Sequence, residues 1–190
     1  MNANLTCCSL AVVVQVLAAT GTLAAQKPVI TGQVISEYEP SPETLDGLLH
    51  SADAVVRGTV TAMRNTPQTD GQGHFAAKTE YTLTLTEIVN GRVGLAQGTS
   101  VTVVREGGDV DLGDKISRSV DPAFAPFQIG EQYILFLHWN GYLSKYQVNW
   151  GPDGAFHVSA GLVETMGRAP LSRQLHGQRV AALLAALKKP

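Results

Sequence analysis

Glu131–Leu162 reads EQYILFLHWNGYLSKYQVNWGPDGAFHVSAGL, and its pattern decides the fold. An apolar run from Glu131 to His138 meets Asn140-Gly141, and a second alternating run starts at Tyr142. Asn-Gly between such runs signals a hairpin with a two-residue type I′ turn. That turn sets Trp139 opposite Tyr142, Leu137 opposite Ser144, Leu135 opposite Tyr146 and Tyr133 opposite Val148. Gly151-Pro152-Asp153-Gly154 suits a second turn, type I with a glycine bulge. It sets Trp150 opposite Phe156, Val148 opposite Val158, Tyr146 opposite Ala160 and Ser144 opposite Leu162. Both registers put Tyr146 and Val148 on the face of Tyr133, Leu135, Val158 and Leu162, as one buried face demands. The other face carries His138, Lys145, Gln147, Asn149, His157 and Ser159, with Ile134 and Phe136 as apolar exceptions.

Upstream, further strands are expected. Ala54–Ala62 holds Val55, Val56 and Val60; Thr79–Val89 alternates Tyr81, Leu83 and Leu85 with threonines; Ser100–Arg105 alternates around Val101 and Val103. This is period two with one face buried. Residues 63–77 and 106–130, rich in Gly, Asp and Pro, read as long loops, the second pinned by Phe124 and Phe127. Ser41-Pro42-Glu43 is a helix start, Ser as N-cap and Pro at the first helical position, with Leu45, Leu48, Leu49 and Ala52 on one face. Ser172–Lys188 reads as one amphipathic helix with Leu175, Val180, Leu183, Leu184 and Leu187 inward. The fold class is all-β: an antiparallel OB-like barrel of about six strands, with one helix before it and one after.

At the amino end, nine of the ten residues Leu10–Ala19 are apolar, and Leu23-Ala24-Ala25 follows. This is the pattern of a secretory signal peptide over residues 1–25, cleaved after Ala24 or Ala25. The run is half the length of a membrane span, and Cys7 and Cys8 lie on the wrong side of it for a lipid anchor. Both cysteines of the chain leave with the signal, so a single disulfide-free domain, residues 26–190, is expected outside the cytoplasm, in a bacterial periplasm or medium. The 14 Lys and Arg against 16 Asp and Glu, net charge −2, argue against nucleic acid.

The order of a helix, the strand Ser51-Ala52-Asp53-Ala54-Val55-Val56-Arg57-Gly58, a Tyr-led strand ending in Asn90-Gly91, a valine strand, a long loop and Tyr133-Ile134-Leu135-Phe136-Leu137 resembles the N-terminal domain of the tissue inhibitors of metalloproteinases and related netrin-like domains. It is also similar to bacterial exported proteins of the same pattern. The resemblance covers about residues 48–165 and implies an OB-type barrel. Those inhibitors chelate the protease zinc through a mature N-terminal Cys. Here the mature start falls near Gln26 and no Cys remains, so the inhibitory residues are not carried over.

Catalytic signatures are missing. The five histidines His50, His74, His138, His157 and His176 make no ligand spacing, and in the derived register His138 and His157 lie too far apart to share an ion. Glu106, Asp109, Asp111 and Asp114 lack the EF-hand pattern. There is no GxSxG, and Gly107-Gly108 opens no helix. Trp139, Tyr142 and Trp150 fall on the core-side face and read as caps of the core. The resulting expectation is a non-catalytic binding module for a protein or small ligand, without cofactor or metal. Its surface would be the two long loops, with Arg64, Asp70, His74, Asp109, Asp111, Asp114 and Arg118 as candidate contacts. A protease inhibitor and an enzyme of unrecognised class are the alternatives.

Overall fold

The computed structural model describes residues 26–34, 36–69, 75–91 and 95–188. The order is β1 (Val29–Gln33), α1 (Leu45–Ser51), β2 (Ala54–Thr69), β3 (Phe75–Asn90), β4 (Ser100–Glu106), β5 (Gly108–Asp111), β6 (Ile116–Val120), β7 (Gln132–Asn140), β8 (Lys145–Val148), a 3-10 turn (Gly151–Gly154), β9 (Ala155–Ser159), β10 (Leu162–Thr165), α2 (Pro170–Leu175) and α3 (Val180–Leu187). Residues 1–25, expected to be the signal peptide, lie outside the described residues. No helix among the described residues is long and apolar enough to cross a membrane.

The fold is mostly β, in two sheets. The larger runs β10-β9-β7-β2-β3-β4-β8, and β8 also pairs with β7, so the ladders leaving β7 through β2, β3, β4 and β8 return to it. The smaller sheet is β1-β6-β5. Two ladders are parallel rather than antiparallel: β1 with β6, and β4 with β8.

Both expected long loops contain strands. The β2–β3 ladder continues through Met63↔Tyr81, Arg64↔Glu80 and Pro67↔Ala77, so residues 63–69 and 75–77 are hairpin arms. Pro67 is tolerated because the β2–β7 ladder ends at Thr59↔Gln132 and leaves β2 an edge beyond it. Residues 106–130 contain the β5–β6 hairpin, completed by β1 from the segment before the first helix.

The hairpin after β7 keeps its expected faces and changes register. Asn140 pairs with Lys145 and Leu137 with Val148, so the tip spans four residues instead of two. The Asn140 side chain accepts the Leu143 N–H at 3.0 Å, and Ser144 takes the left-handed φ of 52°. Asn140 thus caps a four-residue loop rather than entering a type I′ turn. Each β7 residue faces a partner four residues further along than expected, Leu137 meeting Val148 instead of Ser144, an even shift, so no paired side chain changes face. Tyr142, expected on the core side, is 96% exposed at this tip, and Trp139 is 37% exposed.

The second expected hairpin does not form. Trp150 and Gly151 both turn left-handed, at φ 55° and 57°, and Gly151–Gly154 coils into the 3-10 turn. β9 then resumes along the edge of β7 that β8 has just left, with Leu135↔Ala155 following Leu137↔Val148. The two-residue turn lies one strand later, at Ala160-Gly161 (φ 50° and 78°), joining β9 to β10.

Two cores follow from this topology. One is enclosed by the returning ladders and holds Val56, Tyr81, Leu83, Val103, Phe127, Tyr133, Leu135 and Tyr146. Phe124 and Phe127 anchor the chain between β6 and β7 there, Phe127 edge-on to Tyr81 at 5.0 Å. The other lies between the outer face of β7 and β9 and the three helices, and it buries Ile134, Phe136, Phe156, Val163, Leu48 of α1 and the leucines of α2 and α3. Val158 joins this second core, and Leu162 is 42% exposed, so neither shares the face of Tyr146. The apolar exceptions Ile134 and Phe136 are thereby explained, since β7 is buried on both faces. α1 is capped by Thr44, whose hydroxyl accepts the Gly47 N–H at 3.1 Å, rather than by Ser41. The single C-terminal helix expected over 172–188 is two helices, broken where Gly177 adopts φ 76° and its N–H bonds Val163 O at 2.7 Å.

Candidate functional site

The site lies where β8 parts from β7. A cavity of about 650 Å³ opens there, lined by the segment around Tyr38, the end of β4, Phe124, His138 and the stretch from Gln147 to Gly151.

Arg105 enters it as the third member of an inward alternation, Val101, Val103, Arg105. It is 7% exposed. Its guanidinium stands 4.8 Å above the Phe124 ring, and among the described residues it has no ion pair or hydrogen bond, with Nε fully buried. Asp121, 5% exposed, is close by but engaged: it accepts the Tyr38 hydroxyl at 2.5 Å and the Ala123 N–H at 2.9 Å. Burial, then the bond to Asp121, pushes the Tyr38 phenol up to about 12, so it stays protonated and holds the segment from Ser36 to Tyr38 over the cavity.

His138 stands on the opposite wall. Asn140 Oδ1 is taken by the Leu143 N–H, so Asn140 Nδ2 donates to Gln147 Oε1 at 2.9 Å. The same oxygen lies 3.2 Å from His138 Nε2, which donates to it. His138 Nδ1 is buried and unpartnered. Ser36 Oγ, close to the Tyr38 hydroxyl, is also buried without a well-formed bond. Trp150, 8% exposed, completes the wall in its left-handed conformation. A Cβ on Gly151 would fall within 2.6 Å of Tyr38 Cγ, so only glycine lets that ring approach.

The residues anticipated from sequence lie elsewhere. Arg64 is on the β2 arm and bonds Glu80 at 2.8 Å. Glu80 also accepts Lys145 at 2.6 Å, and these cations hold its carboxyl below the usual range, Lys145 foremost. Asp70 and His74 lie outside the described residues. Asp109 and Arg118 face each other across β5–β6 in a two-point pair at 2.8 and 2.6 Å, which lowers the Asp109 pKa. Asp111 takes Lys27 at 2.6 Å, and Asp114 is exposed. The small sheet therefore gathers Asp109, Asp111 and Arg118 but leaves Arg64 apart.

No protein-family model and no curated protein matches this chain.

The cavity residues carried a partial signal. Arg105 is the polar residue that interrupts an inward strand pattern, and His138 and Gln147 share a face in the sequence register. Tyr38 carried none, because its place depends on the chain crossing back over β4.

A second cluster of ionisable groups lies at the other end of β7. His157 sits between Glu131 Oε2 at 3.0 Å and Glu164 Oε2 at 2.9 Å. Burial alone would lower the His157 pKa, but the two carboxylates outweigh it and raise it.

Proposed function

We propose that this chain is an exported binding module that seats a small ligand in the cavity between Tyr38, Arg105, His138 and Trp150. One observation carries the reading. Ser36 Oγ, Arg105 Nε and His138 Nδ1 are three of the four buried side-chain polar atoms among the described residues that lack a well-formed hydrogen bond, and all three residues line this cavity. Each such group costs about 1–3 kcal/mol when unmet, and their coincidence on one cavity is what a ligand site requires. Trp150 adds backbone strain of about 1–2 kcal/mol at the same wall. The returning ladders support an OB-like barrel, a scaffold that binds ligands on one face and in the adjoining loops. The expected signal peptide supports export. Asp109 and Arg118 of the 107–128 region pair with each other and Asp111 pairs with Lys27, which makes that surface the weaker seat.

The test is a ¹H–¹⁵N NMR screen of the purified protein with mixed small fragments of every charge class. The reading predicts that a subset shifts the amides of Tyr38, Arg105 and His138 and the Trp150 indole together. A screen in which no fragment moves these signals overturns it.

A further inference from the structure

Resting on that reading, we infer that the ligand is a small zwitterion, a free amino acid or short peptide, whose carboxylate meets Arg105 and whose protonated amine faces the acidic mouth. The inner wall offers a guanidinium: Arg105 is more than nine-tenths buried, and no carboxylate of the described residues forms an ion pair with it. Guanidinium donors are matched best by a planar carboxylate. Asp121 bonds the Tyr38 hydroxyl and the Ala123 N–H and forms no ion pair with Arg105.

The mouth carries the opposite sign. Glu37, Glu39 and Glu106 line the same cavity, the first two exposed on the crossing segment. Glu106 is shared with Lys78 at 3.2 Å, so Glu37 and Glu39 supply the free negative charge. Carboxylates at the entrance repel a multiply charged anion such as phosphate and attract an ammonium group. A ligand that satisfies both ends carries one negative charge inside and one positive charge outside. His138 Nδ1, buried and unpartnered, adds a polar atom for the ligand to meet. Tyr38, Phe124 and Trp150 provide aromatic walls, and about 650 Å³ holds a body of amino-acid or dipeptide size.

Trp150 is the reporter. In a Trp139→Phe background it is the remaining tryptophan of the chain's two, and its fluorescence is titrated with phenylalanine, Gly-Phe, 3-phenylpropanoate, phenethylamine and inorganic phosphate. Expected is saturable quenching or enhancement by phenylalanine or Gly-Phe, at least about tenfold tighter than by 3-phenylpropanoate or phenethylamine, and none by phosphate. Arg105→Gln should weaken the zwitterion by about tenfold or more. The double change Glu37→Gln, Glu39→Gln, on the exposed segment, should reduce it to the affinity of 3-phenylpropanoate. Equal affinity for 3-phenylpropanoate and phenylalanine, tightest binding of phosphate or phenethylamine, or no response to any probe at about 10 mM overturns the inference. Cavity shifts in the NMR screen by neutral or singly charged fragments would then leave the binding reading standing, and their absence would remove both.

Discussion

Arg105→Met should make the protein more stable. Arg105 holds a buried charge with no ion pair among the described residues, and methionine retains much of its length and apolar contact with Phe124. Replacing buried ionic groups by apolar ones of similar volume is neutral or stabilising by about 1–4 kcal/mol. Two terms oppose the gain. The stacking of the guanidinium on Phe124 is lost, at about 0.5–2 kcal/mol, and so is the attraction of Asp121 at longer range. The net expectation is a gain of about 1–2 kcal/mol, which for a chain of this size raises Tm by roughly 2–8 °C. Urea unfolding followed by circular dichroism measures it, with the m-value unchanged if only the native state is affected. A loss of about 1 kcal/mol or more at unchanged m would refute the reasoning, because it would mean that the guanidinium is satisfied within the fold and serves structure rather than a ligand.

Gly151→Ala should destabilise by about 2–4 kcal/mol in the same assay, from left-handed backbone strain and collision with the Tyr38 ring; a change under about 0.5 kcal/mol would contradict the close approach. Asp153→Ala should cost about 1–2 kcal/mol, since Asp153 Oδ1 accepts the Ala169 N–H at 2.9 Å and the Ser172 hydroxyl at 3.1 Å and so fixes the start of α2. The His157 clamp should give a pH signature. Its folded pKa is raised, so its contribution is full below the unfolded value near 6.5 and is lost as pH rises through the higher folded value. Glu164 is lowered, chiefly by His157, so its share is lost as pH falls through the folded carboxylate value. His157→Gln should therefore flatten the decline in Tm above about pH 6.5, and an unaltered profile would remove the clamp.

The sequence exposed side-chain parity better than pairing. Tyr133, Leu135, Tyr146 and Val148 share one core as their alternation demands, although the register between β7 and β8 is longer-looped than Asn140-Gly141 suggests. Parity survives because the slip is even. The pairing failed at Trp150-Gly151, where two successive left-handed residues send the chain off the sheet and return it to the same edge. A Gly-Pro-Asp-Gly run looks alike in a hairpin turn and in a 3-10 turn, and what selects the latter is Asp153 bonding α2, a contact 16 residues away in the chain. The arms of β2 and β3 were obscured by polar residues, as expected for strands with little to bury against. The small sheet was hidden because β1 and β6 are distant in sequence and pair in parallel. The cavity inherits this difficulty: Tyr38, Arg105, His138 and Trp150 come from four segments that only the crossing before α1 and the excursion after β8 bring together.

The most direct measurement is a crystal structure of the protein purified from its native host. The account predicts a small molecule in the cavity between Tyr38 and His138, with an oxyanion about 2.7–2.9 Å from the Arg105 guanidinium. A cavity filled by collapsed side chains, with Arg105 paired to a carboxylate of its own chain, would contradict it.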